Sequence, residues 1–286
     1  HRIDLDDQFL SHTIDDHFEN VKTETAIDVN RLTHRDDYSD KVLSMSEYWQ
    51  LYYKLYEDDP VFAVMASTML QTFLRIGGIM QFPLAPTVGN KNWQRFEQMK
   101  RKKMKFQKLH YKKKGGGPES LSVHIHTMEI IDKLYLKPLY QERKALFQTG
   151  YAQSVHAKKK GITVNSQFTW FNKHGTPVDS EMLQEAFRKA SKALGFKATP
   201  HFLRHTGATQ MLWRYCKSND IEIHEGMAGD IHSWLKKQLG HVLLSTTRYY
   251  VNTVYRMKAD AVLMYMLPGQ MEELDTAVSG EAADAY

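Results

Sequence analysis

Hydrophobic positions recur at helical spacing over most of this chain and at strand spacing over one central stretch. Tyr48, Leu51, Tyr52 and Leu55 stand at i, i+3, i+4 and i+7 and predict an amphipathic helix. Ser44, with Glu47 three residues on, predicts its start as a capping box. Pro60 opens a second helix with Phe62, Met65, Met69, Leu70 and Phe73 on its apolar face, and Gly77-Gly78 is expected to end it. Phe82 to Pro86 reads as an irregular or short extended exit. From about 103 to 126 the pattern turns to strands. Phe106, Leu109 and Tyr111 precede a Lys- and Gly-rich turn, after which Leu121, Val123 and Ile125 alternate with polar residues. A two- or three-stranded antiparallel sheet is the economical reading.

Helical periodicity resumes over 127–147, where Pro138 is expected to kink or divide the helix. The Lys-rich stretch 151–161 reads as a loop, and 164–171 as a short strand ended by Asn172, Lys173, His174 and Gly175. Asp179 or Ser180 caps a helix whose inner face is Met182, Leu183, Ala186, Phe187, Ala190 and Leu194, closed by Gly195. Its outer face carries Arg188, Lys189 and Lys192. Another helix follows Pro200. Residues 216–232 read as a loop with little helix, and helices return near 233–239, 245–258 and 259–267. The fold class is therefore α+β, mostly α-helical with one small antiparallel β-sheet. Three parts are expected: a polar linker or extension over 1–40, one domain over 41–268 and a flexible acidic tail over 269–286.

Composition narrows the function classes. The chain has 286 residues, 42% hydrophobic and 25% charged, enough to bury a sizeable core. A single cysteine, Cys216, excludes an internal disulfide framework and fits a reducing cytoplasm. No apolar run approaches the roughly 20 residues that span a bilayer, and the N-terminal residues do not read as a signal peptide. Net charge is +5 with a pI near 9.0, yet the first 40 residues and the tail after Glu272 are acidic. The middle is therefore more basic than the total. Its densest block is Lys100, Arg101, Lys102, Lys103 and Lys105, continued by Lys108 and by Lys112, Lys113 and Lys114. Such a block points to a polyanionic partner, nucleic acid first. A solvated basic face is the plain alternative.

Four stretches carry candidate chemistry. The first reads His-Phe-Leu-Arg-His-Thr-Gly-Ala-Thr from His201, putting His201 and Arg204 one turn apart on a helix of otherwise apolar and small residues. Arg204 is expensive to bury there unless it meets an anion or a core carboxylate. The second reads Leu-Gly-His-Val-Leu-Leu-Ser-Thr-Thr-Arg-Tyr-Tyr from Leu239. It offers His241 and, about two and a half turns later, Tyr249 and Tyr250. Either tyrosine is a potential nucleophile or a core residue, and periodicity does not choose between them. The third is Arg75, just before Gly77-Gly78, a pair that lets backbone approach a ligand closely. The fourth is the lysine turn at 112–114, which could reach a DNA groove and donate a proton to a leaving oxygen.

In this order, the four stretches resemble the catalytic domain of the tyrosine recombinase (phage integrase) family, from about 42 to 254. Leu74-Arg75 is similar to that family's first-arginine block, and Thr169 to Val178 to the strand and turn before the second arginine. Thr199 to Thr209 resembles its His-x-x-Arg box, and Leu239 to Tyr250 its Leu-Gly-His to Tyr box. The resemblance implies that Arg75 and Arg204 clamp a scissile phosphate, that His201 assists proton transfer and that His241 bonds a phosphate oxygen. It selects Tyr250, nine residues after His241, as nucleophile, and Lys114 as the acid, with Lys113 and Lys112 as alternates. The product would be a 3′-phosphotyrosyl bond and a free 5′-hydroxyl, made without cofactor, ATP or metal. Lys102, Lys103, Lys105, Lys112, Lys113, Lys173 and Arg248 become backbone contacts.

The same resemblance implies double-stranded DNA as partner, a homotetrameric synapse on it, accessory DNA-bending proteins and a bacterial, nucleoid-associated cytoplasmic setting. Residues 1–40 would then lead from a missing core-binding domain, and 262–267 would dock on a neighbouring protomer or pack in cis. The chain departs from the family at three places. Gly78 stands where an acidic residue is usual, the lysine turn carries an extra Gly-Gly-Pro, and the interval from Arg204 to His241 is long. Rival readings are a relaxing topoisomerase or resolvase with the same chemistry, a silent DNA-binding accessory protein of the same fold, and a metal-dependent nuclease suggested by His174, His205, His224 and His232. The i, i+4 pair His201 and His205 suits a zinc site, but no Cys cluster or acidic partner completes it.

Overall fold

The computed structural model describes residues 39–112, 117–219, 221 and 249–255. Helix α1 (Met45–Asp58) starts as a capping box. Ser44 accepts from the Glu47 amide, and the Glu47 carboxylate accepts from the Ser44 amide at 2.8 Å. It buries Tyr48, Leu51, Tyr52 and Leu55, the stripe read from the spacing. Asp59 caps α2 (Pro60–Thr72), which is buried on nearly every side from Val61 to Met69. A helix apolar all round belongs at the centre of a domain. Its few polar groups are satisfied internally: Thr68 and Thr72 donate to the Val64 and Thr68 carbonyls, and Gln71 accepts from Thr127 at 2.8 Å.

The second helix does not run on to Gly77-Gly78. Phe73 closes it in the left-handed conformation, φ 58°, with its amide still bonded to the Met69 carbonyl. A bulky residue avoids that region unless packing over-determines it, and here the Phe73 ring is buried. Gly77 and Gly78 lie instead in the one-turn helix α3 (Ile76–Ile79), with Arg75 at its cap position.

Helix α4 (Phe96–Arg101) leads to β1 (Phe106–Lys112), which pairs antiparallel with β2 (Pro118–His124). Phe106 stands opposite His124, and Lys112 opposite Pro118. Gln107, Leu109 and Tyr111 face inward while Lys108, His110 and Lys112 face solvent. Among the described residues the sheet has two strands. The outer edge of β1 is closed by side-chain amides. Asn90 accepts from the His110 amide at 2.7 Å and donates to its carbonyl at 2.9 Å; Gln81 does the same for Lys112, both at 3.0 Å. These amides stand in for a third strand and blunt the edge.

A continuous helical rod follows: α5 (Ile125–Ile131), a π-helical run over Asp132–Tyr140, and α6 (Gln141–Thr149). Pro138 neither divides the rod nor ends it. It sits inside the π-helical run. The expected loop over 151–161 is partly helical, with a 3₁₀ turn (Tyr151–Gln153) and α7 (Val155–Lys159), because Ser154 caps α7 and Ala157 is buried. The expected strand over 164–171 is not formed. Side chains take its backbone groups instead: Tyr140 donates to the Phe168 carbonyl, Arg143 to the Phe171 carbonyl, and the Phe171 amide donates to Tyr135. Within this stretch, Phe171 makes an isolated bridge to Pro177. Arg143 also pairs with Asp59 at 2.6 Å, both nearly buried, and so joins α6 to the start of α2.

Helix α8 (Ser180–Leu194) is capped by Asp179 and closed by Gly195 at φ 77°; it buries Leu183, Ala186, Phe187 and Ala190. Helix α9 (Pro200–Ser218) is capped by Thr199 and extends beyond 216, where a loop was expected. Residues 249–255 are helical, within the predicted 245–258. The extension up to residue 38, the tail over 269–286 and the helices expected near 233–239 and 259–267 lie outside the described residues. Helices α2 and α9 pack closely at Gly207. A Cβ there would stand 2.1 Å from the Leu70 carbonyl oxygen and 2.9 Å from the Phe73 ring. We expect Gly207→Ala to destabilise the fold by about 1–3 kcal/mol through overpacking. Urea unfolding checks this, and an unchanged midpoint would mean that the two helices separate freely.

Candidate active site

Thr199 and Pro200 fix the first turn of α9, the cap by accepting from the Phe202 amide at 3.3 Å and the proline by its preset φ. His201 follows in that turn, and Arg204 stands one turn on. Arg204 is 2% exposed, and its Nη1 donates to the Phe73 carbonyl at 2.7 Å. The left-handed end of α2 is thus what presents an acceptor to the guanidinium. Burial lowers the Arg204 pKa from the ordinary arginine value; Tyr250 opposes that shift, and Arg75 adds to it. Arg75 is half-buried at the head of α3. Two guanidinium groups acting on each other repel, and a shared anion relieves the repulsion.

His201 is open to solvent along part of its ring. Its pKa is held below the ordinary imidazole value by partial burial first, then by Arg204, Arg75 and Lys41. It is therefore neutral at pH 7 and free to take a proton. Helix N-terminus, arginine pair and neutral histidine together form an electropositive pocket suited to a phosphate. A cavity of about 600 Å³ adjoins them, lined among others by Arg75, Phe187, Arg188, Lys197, Thr199 and His201.

Tyr250 and Tyr249 are distinguished by burial. Tyr249 is half-buried. Tyr250 has no exposed surface and packs with Phe73, Ala208, Met211, Leu212 and Val254. Its hydroxyl lies 3.1 Å from His205 Nδ1, and the His205 ring meets the His201 ring edge-on, with centroids 4.5 Å apart. The structure therefore brings Arg75, His201, Arg204 and Tyr250 together. The Tyr250 hydroxyl is thus enclosed beside His205 and has no surface open to a ligand in this arrangement. His205 was read from the sequence only as half of a zinc pair. Its i+4 spacing from His201 put it on the right face, but nothing local said that its partner would be a tyrosine 45 residues away.

Gly78 is buried. A Cβ there would lie 2.5 Å from a Leu74 methyl and 3.4 Å from the Tyr111 ring. An acidic side chain there would have to displace the Leu74 methyl and press towards the Tyr111 ring. Negative charge comes instead from β2, where Tyr111 donates to Glu119 at 2.8 Å; Glu119 acts electrostatically on Arg204. Burial first, and then Glu119, raise the Tyr111 pKa, so the phenol stays protonated as a donor.

The other sequence-derived residues are dispersed. Lys102, Lys103 and Lys105 are exposed between α4 and β1, and Lys112 is exposed at the end of β1. The Lys173 ammonium donates to the Asp58 carbonyl at 2.9 Å, at the junction of α1 and α2. Lys113, Lys114, His241 and Arg248 lie outside the described residues. Sequence reasoning did not single out Lys197 as a site residue; it lacks a motif and becomes visible only as a wall of the cavity. Among the described residues, no group of three or more His, Cys, Asp or Glu side chains converges to hold a metal, and no helix is long and apolar enough to cross a membrane.

The chain is similar in structure to site-specific recombinases. One is XerH bound to palindromic difH substrate in a post-cleavage complex, with TM-score 0.48, 14% identity and coverage of 79% of this chain and 53% of that one. XerA recombinase gives a TM-score of 0.47 at 16% identity, covering 77% and 64%. XerH bound to difH in a pre-cleavage complex gives 0.44 at 16% identity, covering 77% and 52%. The chain thus spans between about half and two-thirds of the length of these structures. No family model matches the chain, and no curated protein matches it.

The electrostatics of His201 are open to direct measurement. Its imidazole is expected to titrate by NMR with a midpoint below about 6.5, and Arg75→Met should move that midpoint upward by removing one of the cations that oppose protonation. An unmoved midpoint in the variant would separate Arg75 from the site.

Proposed function

We propose that this chain is a DNA strand transferase of the tyrosine-recombinase kind, cleaving and rejoining strands through a 3′-phosphotyrosyl intermediate. One observation carries the reading. Residues from three separate stretches of sequence, Arg75, the pair His201 and Arg204, and Tyr250, meet at the capped start of α9. The arginines bind the non-bridging oxygens of the scissile phosphate and stabilise the charge of its pentacoordinate transition state. The Tyr250 oxygen attacks phosphorus and its proton passes to neutral His201. A Tyr–O–P bond forms as the bond to the 5′-oxygen breaks, and a lysine of the 112–114 run protonates that oxygen. Attack by a 5′-hydroxyl on the phosphotyrosine reverses each step, so neither ATP nor metal is consumed. His241 adds a hydrogen bond to the phosphate. Lys102, Lys103, Lys105, Lys113, Lys173 and Arg248 contact the backbone of the duplex. On this reading the working state is a homotetramer on DNA, aided by DNA-bending proteins in a bacterial nucleoid.

Incubation with a pool of nicked suicide duplexes in chelator should trap a covalent adduct. The adduct should be lost in Tyr250→Phe and kept in Tyr249→Phe. Absence of any adduct would leave a silent DNA-binding protein, and metal-dependent cleavage without adduct would leave a nuclease.

Arg204→Ala should slow adduct formation by about 10²–10³-fold, the usual effect of removing one transition-state donor. DNA affinity should change little, because backbone contacts are spread over many lysines. If affinity falls as far as cleavage does, Arg204 is a binding residue and not a transition-state clamp.

A further inference from the structure

The connection between α8 and α9 is pinned at Ala198. The Ser191 hydroxyl donates to the Ala198 carbonyl at 2.8 Å and accepts from its amide at 2.9 Å, and Ala198 is buried. Lys197 therefore rises from a fixed root. The residue itself is exposed, and it lines the cavity of about 600 Å³ that Arg75 and His201 also line. Among the described residues, no Asp or Glu lines this cavity. Arg188, another of its walls, pairs with Glu185. The side chains of Arg75 and Lys197 meet neither a carboxylate nor a hydrogen-bond acceptor among the described residues. Two cations thus border one space without a counter-charge.

We propose that this cavity holds the nucleotide next to the scissile phosphate, with Lys197 binding that nucleotide's other phosphate. The inference rests on the reading above, in which Arg75 binds the scissile phosphate. Volume and charge carry it further. A space of about 600 Å³ lies in the range that encloses a whole small molecule, more than one phosphate group fills. A phosphodiester carries a single negative charge, so Arg75 and Lys197 together call for two of them. Adjacent phosphates of one strand supply both, with a sugar between. That sugar meets an apolar wall, because Ile76, Phe187, Ala198 and Pro200 line the same cavity. Lysine suits the second position. Its compact charge on a flexible stem follows a phosphate without demanding a fork geometry.

The test is a titration of the full chain with thymidine 3′,5′-bisphosphate, which carries two phosphates on one sugar, and with thymidine 3′-monophosphate, which carries one. Wild type should bind the bisphosphate about 10-fold more tightly, the worth of one charge-assisted hydrogen bond. Lys197→Ala should erase that advantage and leave monophosphate affinity unchanged. Lys197→Arg should keep most of it, and Arg75→Met should weaken both ligands. An advantage that survives Lys197→Ala, or none in wild type, would overturn the proposal. So would an equal loss for both ligands in Lys197→Ala, since Lys197 would then add only to the general field.

Binding to uncleaved duplex DNA supplies the second arm. The slope of log affinity against log salt should fall by about 1 in Lys197→Ala, the mark of one lost phosphate contact. An unchanged slope beside a lost bisphosphate advantage would make the cavity a site for free nucleotides and overturn its assignment to the strand. Neither titration depends on turnover. If wild type forms no covalent adduct with DNA, the strand-transfer reading fails, and the bisphosphate still decides whether the cavity spans two phosphates.

Discussion

Arg204 is a guanidinium almost fully removed from water, and the rest of the site is arranged around its accommodation. A buried cation is costly unless hydrogen bonds and opposite charge replace its hydration. The first replacement is the Phe73 carbonyl at 2.7 Å, aimed by a backbone turn that phenylalanine rarely adopts. Phe73 serves three ends at once: its amide closes α2, its carbonyl holds Arg204, and its ring packs beside Gly207 and Tyr250. The crossing at Gly207 must be close for the last two to hold. Site and core are therefore one packing problem here.

Charge around the arginines is balanced from an unusual direction. Gly78 gives up the space beside α3 to the ring of Tyr111, and Tyr111 hands its hydrogen bond to Glu119 on the neighbouring strand. The hairpin thus supplies the carboxylate that acts electrostatically on Arg204. Gln81 and Asn90 fasten the free edge of the same hairpin to the body. A two-stranded sheet is marginal alone, so these amides help hold so small an element at a defined position. Tyr250, bonded to His205 and shut from solvent, closes the other side of this arrangement.

Much was legible from local signals. The capping box at Ser44, the proline start at Pro60 and the Asp179 to Gly195 helix each rest on neighbours within a few residues and formed as read, while the alternation of Leu121 and Val123 held but Ile125 opened a helix instead of continuing β2. The strand expected over 164–171 failed for the opposite reason. Its Phe168 and Phe171 backbone groups are taken by the side chains of Tyr135, Tyr140 and Arg143. Likewise, two glycines looked like a helix terminator, whereas the chain turned earlier, at a phenylalanine held by distant packing.

The sequence by itself determined the helical periods, the caps, the basic middle of the chain and the candidates Arg75, His201, Arg204 and the pair Tyr249 and Tyr250, between which only the family resemblance chose. These follow from spacing, charge and side-chain chemistry, which are local properties. Tertiary structure decided which groups meet: Tyr250 with His205, Arg204 with Phe73, Glu119 with the arginines through Tyr111, and Gln81 with Lys112. Those pairings span from 8 to 131 residues of chain. The packing of α2 against α9 and the edge of β1 select them, through steric fit and backbone geometry that no short stretch encodes.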